Sequence, residues 1–235
     1  MFNFKKVSFY FSQQFDFVDD QDLATKLSMQ QGDIKKFEVF ITPLQDGNID
    51  NALDDPFNAP NLDQIKDIID QLFEGLKQLK DADACHNDIK PGNVLYRLAQ
   101  NKFEIKIADF GQSNKKGGTP GWTAPVFRRD RTPGKEDMFS MGLIILRLLC
   151  YEKDLFFALR DNWVNLSGLT QLKFNNMPEI NLIRKMINLD NQPTIQVAER
   201  EWRSVKSNVQ IIDYLRLCNI GVLYDSLIPQ YSHSR

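Results

Sequence analysis

Histidine and cysteine are almost missing from this 235-residue chain, which has two of the first (His86, His233) and three of the second (Cys85, Cys150, Cys218). An odd number of cysteines without paired spacing argues against a disulfide framework, and two histidines far apart in sequence argue against a zinc site. Long apolar runs are missing as well. The most apolar stretch, MGLIILRLL, is short and contains Arg147, and the amino-terminal MFNFKKVSFYFSQQ alternates polar and apolar residues where a signal peptide would carry a continuous apolar segment. The expectation is a soluble, cytoplasmic protein of a reducing compartment, without a membrane partner. No charge sign dominates: 29 Lys+Arg against 31 Asp+Glu leave a formal net charge of -2. Global attraction to nucleic acid is excluded, and any electrostatic recognition must come from local patches. Glycine is scarce at the start, where the first is Gly32 and the next Gly47.

What is present is enough apolar residue, 42% of the chain, to bury a core as one large domain or as two unequal lobes. Residues 1–45 contain two β-like runs, FKKVSFYF and KFEVFITPL, around a helical candidate near QDLATKLSMQ. From Asn61 the pattern turns helical: Leu62, Ile65, Ile68, Ile69, Leu72, Phe73, Leu76 and Leu79 share one face, and Asn61 and Gln64 have the spacing of a capping box. Two short β-like runs follow, NVLYRL and FEIKIADF, then a loop dense in Gly, Thr and Pro, GQSNKKGGTPGWTAP. The helix candidate EDMFSMGLIILRLLC is apolar nearly all round and must be enclosed by other elements. A further amphipathic stretch carries Ile180, Ile183, Met186 and Ile187, with Asn176 and Glu179 as a second cap pair, and a last one runs near VQIIDYLRLC.

The chemistry-bearing cluster is CHNDIKPGNVLY, residues 85–96, which places Asp88, Lys90 and Asn93 on one loop, while Asp109 begins a second loop with Asp-Phe-Gly. Two carboxylates, an amide oxygen and an ammonium suit a magnesium-phosphate site, because magnesium takes hard oxygen ligands and keeps bound phosphate. Asn93 and Asp109 would supply protein ligands, Asp88 would orient a hydroxyl nucleophile, and Lys90 would meet charge on the transferring phosphoryl group.

These segments resemble the eukaryotic-type protein kinase family and its Ser/Thr branch. HNDIKPGN resembles the catalytic loop, ADFG the metal-binding loop, GTPGWTAP the end of the activation segment, DMFSMG the start of the central helix, and INLIRKMINLDNQPT the helix and turn that close the large lobe. The resemblance implies that Asp88 is the catalytic base and Lys90 a phosphate contact. It implies that Asn93 and Asp109 are Mg2+ ligands, with ATP as co-substrate. Asp137 is implied as a buried anchor for the catalytic-loop backbone, and Lys90 and Thr119 as the pair that approaches the catalytic aspartate.

The chain also departs from the family. Gly32 and Gly47 cannot form the glycine-rich turn that normally covers the nucleotide phosphates, so that flap is missing from this polypeptide. FNFKKV resembles a remnant of the lysine-bearing strand, with Lys5 in the phosphate-binding position and Asp22 near the place of the helix glutamate. An ordinary amphipathic edge strand with solvated lysines is the open alternative. Asn87 replaces the arginine that pairs with a phosphorylated activation-segment residue, and a neutral amide cannot make that charge-assisted contact. No activation by phosphorylation is expected there, Ser113 included. Val126 and Gln192 stand at the two ends of a buried ion pair of the family, and loss of both is far milder than loss of one. The run FRRDRTPGK, with Arg128, Arg129, Arg131 and Lys135, reads as a solvated loop or as a contact for acidic substrate. Trp122 and Trp202 read as core, and Gly117, Gly118 and Gly121 as a flexible substrate-side turn.

The expected fold is α+β, a protein-kinase-like fold with a reduced β-containing N-lobe (1–45), a mainly helical C-lobe (46–205) and a C-terminal helical extension docked on it (206–235). Two functions stay open. One is Mg-ATP-dependent phosphoryl transfer to protein Ser/Thr, including a low-activity form. The other is a pseudokinase acting as a protein scaffold, with a partner protein over the nucleotide cleft. Small-molecule phosphotransfer is a more distant third.

Overall fold

The computed structural model describes residues 44–57, 59–113, 117–124, 134–150, 152–164 and 177–213, the side chains of 162–164 excepted. From Gln45 onward they belong to one unit of the chain. Lys5, Asp22, Val126, Arg128, Arg129, Arg131 and Asn176 lie outside them. A short strand β1 (Gly47–Asn48) leads into α1 (Ile49–Asp54), followed by the long helix α2 (Leu62–Asp81). A hairpin comes next, β2 (Val94–Ala99) and β3 (Lys102–Ile107), and then four helices, α3 (Lys135–Leu149), α4 (Lys153–Val164), α5 (Pro178–Ile187) and α6 (Ile195–Val205).

Helix α2 begins where the capping box places it: Gln64 N donates to Asn61 Oδ1 at 3.0 Å and Asn61 N to Gln64 Oε1 at 2.8 Å. Its apolar face buries Ile65, Ile68, Ile69, Leu72, Phe73, Leu76 and Leu79. Each such burial contributes about 1.5–3 kcal/mol, whereas an N-cap contributes about 1 kcal/mol. The cap therefore sets where the helix starts, and the face sets that it persists.

The hairpin turns through Gln100 and Asn101, with φ of 50° and 63°, and pairs Ala99 with Lys102, a two-residue loop whose twist matches the strands. The sheet is antiparallel in the order β1-β2-β3. On the far edge of β3, Gln71 of α2 takes the place of a fourth strand. Its amide donates to Phe103 O at 2.7 Å and accepts from Ile105 N at 3.0 Å, pairing two backbone groups that would otherwise face an unmatched edge.

Every residue of α3 from Glu136 to Leu149 is buried, as an all-round apolar helix requires. Gly142 lets α5 approach: a Cβ there would lie 2.9 Å from Ile187 Cγ2 and 3.0 Å from Met186 Cβ. The buried Arg147 reaches Asp54 at the end of α1, Nη2 to Oδ1 2.7 Å. Helix α6 closes the core with Trp202, fully buried, whose Nε1–H donates to Asp70 Oδ1 of α2 at 2.7 Å. Among the described residues no helix is long and apolar enough to cross a membrane.

Two sequence expectations are corrected. Helix α5 starts at Pro178 with Met177 as its N-cap, so Glu179 is the second helical residue and not the third after a cap; it is buried. Of the amphipathic stretch near VQIIDYLRLC, residues 209–213 do not start a helix, and residues 214–218 lie outside the described residues. After a 3-10 turn at Lys206–Asn208, Val209 to Asp213 run without helical structure, and Ile212 pairs in parallel with Cys150, donating its N–H to Leu149 O at 2.7 Å. The free carbonyl at the end of α3 finds its donor there, so tertiary pairing overrides a local helical pattern.

Candidate active site

The loop after α2 is shaped by one side chain from α3. Asp137, 2% exposed, accepts from His86 N through Oδ2 at 2.8 Å and from Asn87 N through Oδ1 at 2.7 Å. Burial raises its pKa above the usual carboxylate range, although the two N–H bonds pull the other way. Asn87 turns the chain with φ of 64°, a conformation that asparagine tolerates better than arginine does. The loop's second half is a 3-10 turn, Pro91–Asn93, entered through proline and closed by Asn93 N donating to Lys90 O at 2.9 Å.

Asp88, Lys90 and Thr119 form a closed triangle. Asp88 Oδ1 accepts from Thr119 N at 2.8 Å and from the Thr119 hydroxyl at 2.7 Å. Lys90 Nζ donates to Thr119 Oγ1 at 2.7 Å and lies 3.2 Å from Asp88 Oδ2. Burial works against the charge on Asp88, but the Thr119 and Lys90 bonds outweigh it and hold the pKa below the usual range. Asp88 is therefore ionised at neutral pH and fixed in orientation.

Asn93 joins the same group. Its Nδ2 donates to Asp88 O at 2.9 Å and to Asp88 Oδ2 at 3.2 Å, which consumes the amide N–H and leaves Oδ1 as the atom able to accept a cation. Asp109 sits on the neighbouring loop, linked through Ala108 N donating to Asn93 O at 2.8 Å. It adopts φ of 64° and accepts from Gly111 N through Oδ1 at 3.3 Å, with its side chain exposed. Among the described residues no three His, Cys, Asp or Glu side chains converge as a metal cage. An amide oxygen and one exposed carboxylate fit instead a magnesium ion that keeps most of its ligands from water and phosphate.

The segment at Thr119 is a β-turn. Trp122 N donates to Thr119 O at 3.1 Å, Pro120 occupies the second position and Gly121, φ 85°, the third, the pattern of a type II turn. Gly118 is more than a flexible link, contrary to its reading as a loose turn. With φ of 121°, a Cβ there would lie 2.1 Å from Thr123 Cγ2 and 2.7 Å from the backbone oxygen of Asn87. Gly118→Ala is expected to destabilise this segment by about 2 kcal/mol or more, read as a lowered thermal-melt midpoint. Gly117→Ala, which meets only the end of the Gln112 side chain, should be mild by comparison in the same melt.

His86 was not singled out as a site residue in the sequence. It is fully buried: its Nε2 donates to Ala108 O at 2.9 Å, its Nδ1 accepts from Asp88 N at 3.3 Å, and its ring lies 4.7 Å from that of Phe110. It ties the Asp88 loop to the Asp109 loop from beneath. The available signal was a lone histidine two residues ahead of the aspartate, close enough for its ring to meet that residue's N–H. Gln192, where the family's arginine would stand, donates its amide to Lys135 O at 3.0 Å and to Met186 O. A neutral side chain thus tethers the start of α3. The Ser113 hydroxyl donates to Cys85 O at 2.7 Å.

The two loops, one entering the hairpin from α2 and one leaving it towards the buried α3, bring Asp88, Lys90, Asn93 and Thr119 into one bonded group. Residues 32–215 match the protein kinase domain model, and the chain belongs to the protein kinase family. Within it, the chain sits in the eukaryotic-type Ser/Thr branch. It is similar to calcium/calmodulin-dependent protein kinase type 1 of Macrobrachium nipponense, 36% identical over 93 residues, covering 36% of this chain and 27% of the relative. It is similar to calcium/calmodulin-dependent protein kinase type IV of Homo sapiens, 37% identical over 94 residues, covering 36% and 20%. A third relative is the DNA damage response protein kinase DUN1 of Saccharomyces cerevisiae, 31% identical over 114 residues, covering 37% and 22%. The matched stretches span 20–27% of these relatives' own lengths.

Proposed function

We propose that this chain transfers the γ-phosphoryl group of ATP to a serine or threonine hydroxyl of a protein substrate. The observation that carries the reading is the bonded triangle of Asp88, Lys90 and Thr119 with Asn93 attached to it. Ionised Asp88 orients the substrate hydroxyl, whose oxygen attacks the γ-phosphorus. The bond from that phosphorus to the bridging oxygen breaks, ADP departs, and the hydroxyl proton passes to the Asp88 carboxylate. Lys90 meets negative charge on the transferring group, so positioning and electrostatics supply the rate. Magnesium, held by Asn93 Oδ1 and Asp109, would neutralise charge across the phosphates. Lys5 is assigned the nucleotide-phosphate contact in the same reading.

The test is nucleotide titration with and without Mg2+, followed by radiolabel transfer to a mixed protein substrate. Mg-dependent ATP binding in the range of about 1 μM–1 mM, with transfer to serine or threonine, is expected. Binding without transfer would shift the assignment to a scaffold, and absence of binding would end the kinase reading.

A further inference from the structure

We infer that Arg160 is a specificity-determining residue that receives an anionic side chain of the protein substrate, a carboxylate or a phosphorylated residue, close to the acceptor hydroxyl. This rests on the phosphotransfer reading and adds the substrate class to it. Arg160 lies on α4 with its side chain 18% exposed. Its guanidinium is held over the Phe157 ring, 4.8 Å from the centroid, and near Phe156 at 5.7 Å, an arrangement that fixes its plane. Asp161 occupies one edge, accepting from Nε at 2.8 Å and lying 2.7 Å from Nη2. Nη1 has no hydrogen-bond partner among the described residues.

That unmatched end faces the substrate-side turn. A Cβ placed on Gly121 would lie 3.0 Å from Nη1, so among the described residues it is glycine that leaves this end of the guanidinium uncovered on the side of the turn. The same turn is bonded at Thr119 to Asp88, and Trp122 at its other end stacks on Phe156, centroids 5.3 Å apart. A β-turn spans less than about 7 Å between its end Cα atoms, and an extended peptide advances about 3.3 Å per residue. An acidic side chain two or three residues from the acceptor therefore reaches Nη1. The partly desolvated N–H gains a charge-assisted bond from an anion and a weaker one from a neutral group. Asp161 offsets the net charge but does not occupy this edge.

The experiment uses serine peptides matched except for Asp, phosphoserine or Asn two or three residues from the acceptor. It reads kcat/KM and, separately, peptide binding by fluorescence anisotropy without nucleotide. The anionic peptides are expected to be preferred about 10-fold, with Arg160→Gln bringing the ratio towards one and Arg160→Lys retaining part of it. Asp161→Asn, which frees the second edge, should raise the ratio and serves as the variant of choice if Arg160→Gln misfolds. A stronger response to phosphoserine than to Asp identifies a previously phosphorylated substrate. Equal binding of anionic and neutral peptides, no measurable binding, or a preference that survives Arg160→Gln overturns the inference. An Arg160-dependent binding preference without transfer supports it while the phosphotransfer reading fails.

Discussion

Asp88→Asn is expected to lower phosphoryl transfer by about 10²–10⁴-fold while Mg-ATP affinity changes little. The substitution keeps volume and removes the charge. An amide can still accept the Thr119 N–H, but its NH2 then faces Lys90 Nζ and Asn93 Nδ2, both donors in the native arrangement. That local mismatch costs about 1–3 kcal/mol, too little to unfold a domain of ordinary stability, about 5–15 kcal/mol. The rate loss therefore reports the missing base and not a missing fold. Initial rates and nucleotide titration on the same preparation separate the two, and an unchanged rate would remove Asp88 from the mechanism.

Asp137→Ala has the second large effect, on stability. It removes the acceptor of the buried His86 N–H and of the part-buried Asn87 N–H together, each worth about 1–3 kcal/mol when left unmatched. A loss of about 2–6 kcal/mol in urea denaturation follows, enough to leave the folded state marginal. Asp137→Asn keeps one acceptor and turns an NH2 towards the other N–H, so its deficit should fall between alanine and wild type. The pH dependence has a defined sign. Burial raises the folded pKa of Asp137 above its unfolded value. Stability from this group is thus fully present below about pH 3.9 and declines as pH rises through the raised folded value. The alanine deficit should shrink over that window and then stay constant. Asp88 behaves oppositely, because its folded pKa is depressed. Its contribution is present above the unfolded value and is lost as pH falls through the folded one.

Much of the frame was legible because its determinants lie within one or two turns of chain. The Asn61–Gln64 capping box and the apolar face of α2 are local spacings. The all-round apolar character of α3 announced its burial, and the order of short motifs pointed to the family before any geometry. Short motifs also brought forward Asp88, Lys90, Asn93 and Asp109 as candidates, and the structure joins the first three in one bonded group.

What the sequence determined by itself, then, was the identity of the elements and the inventory of reactive groups, both encoded by side-chain period and local hydrogen bonding. Tertiary structure decided how those groups meet. Asp137 reaches a loop fifty residues earlier, and Gln71 pairs a strand edge more than thirty residues away. Gly118 is required by a carbonyl of another loop, and Ile212 abandons a helical pattern for the end of α3. His86 meets partners on another loop, and Arg160, held by neighbours on its own helix, is set beside the turn only by the approach of Gly121. A one-dimensional pattern carries the period of an element and the reach of its own turns. The desolvation of a buried N–H or guanidinium, and so the partner it demands, exists only once distant segments have closed around it.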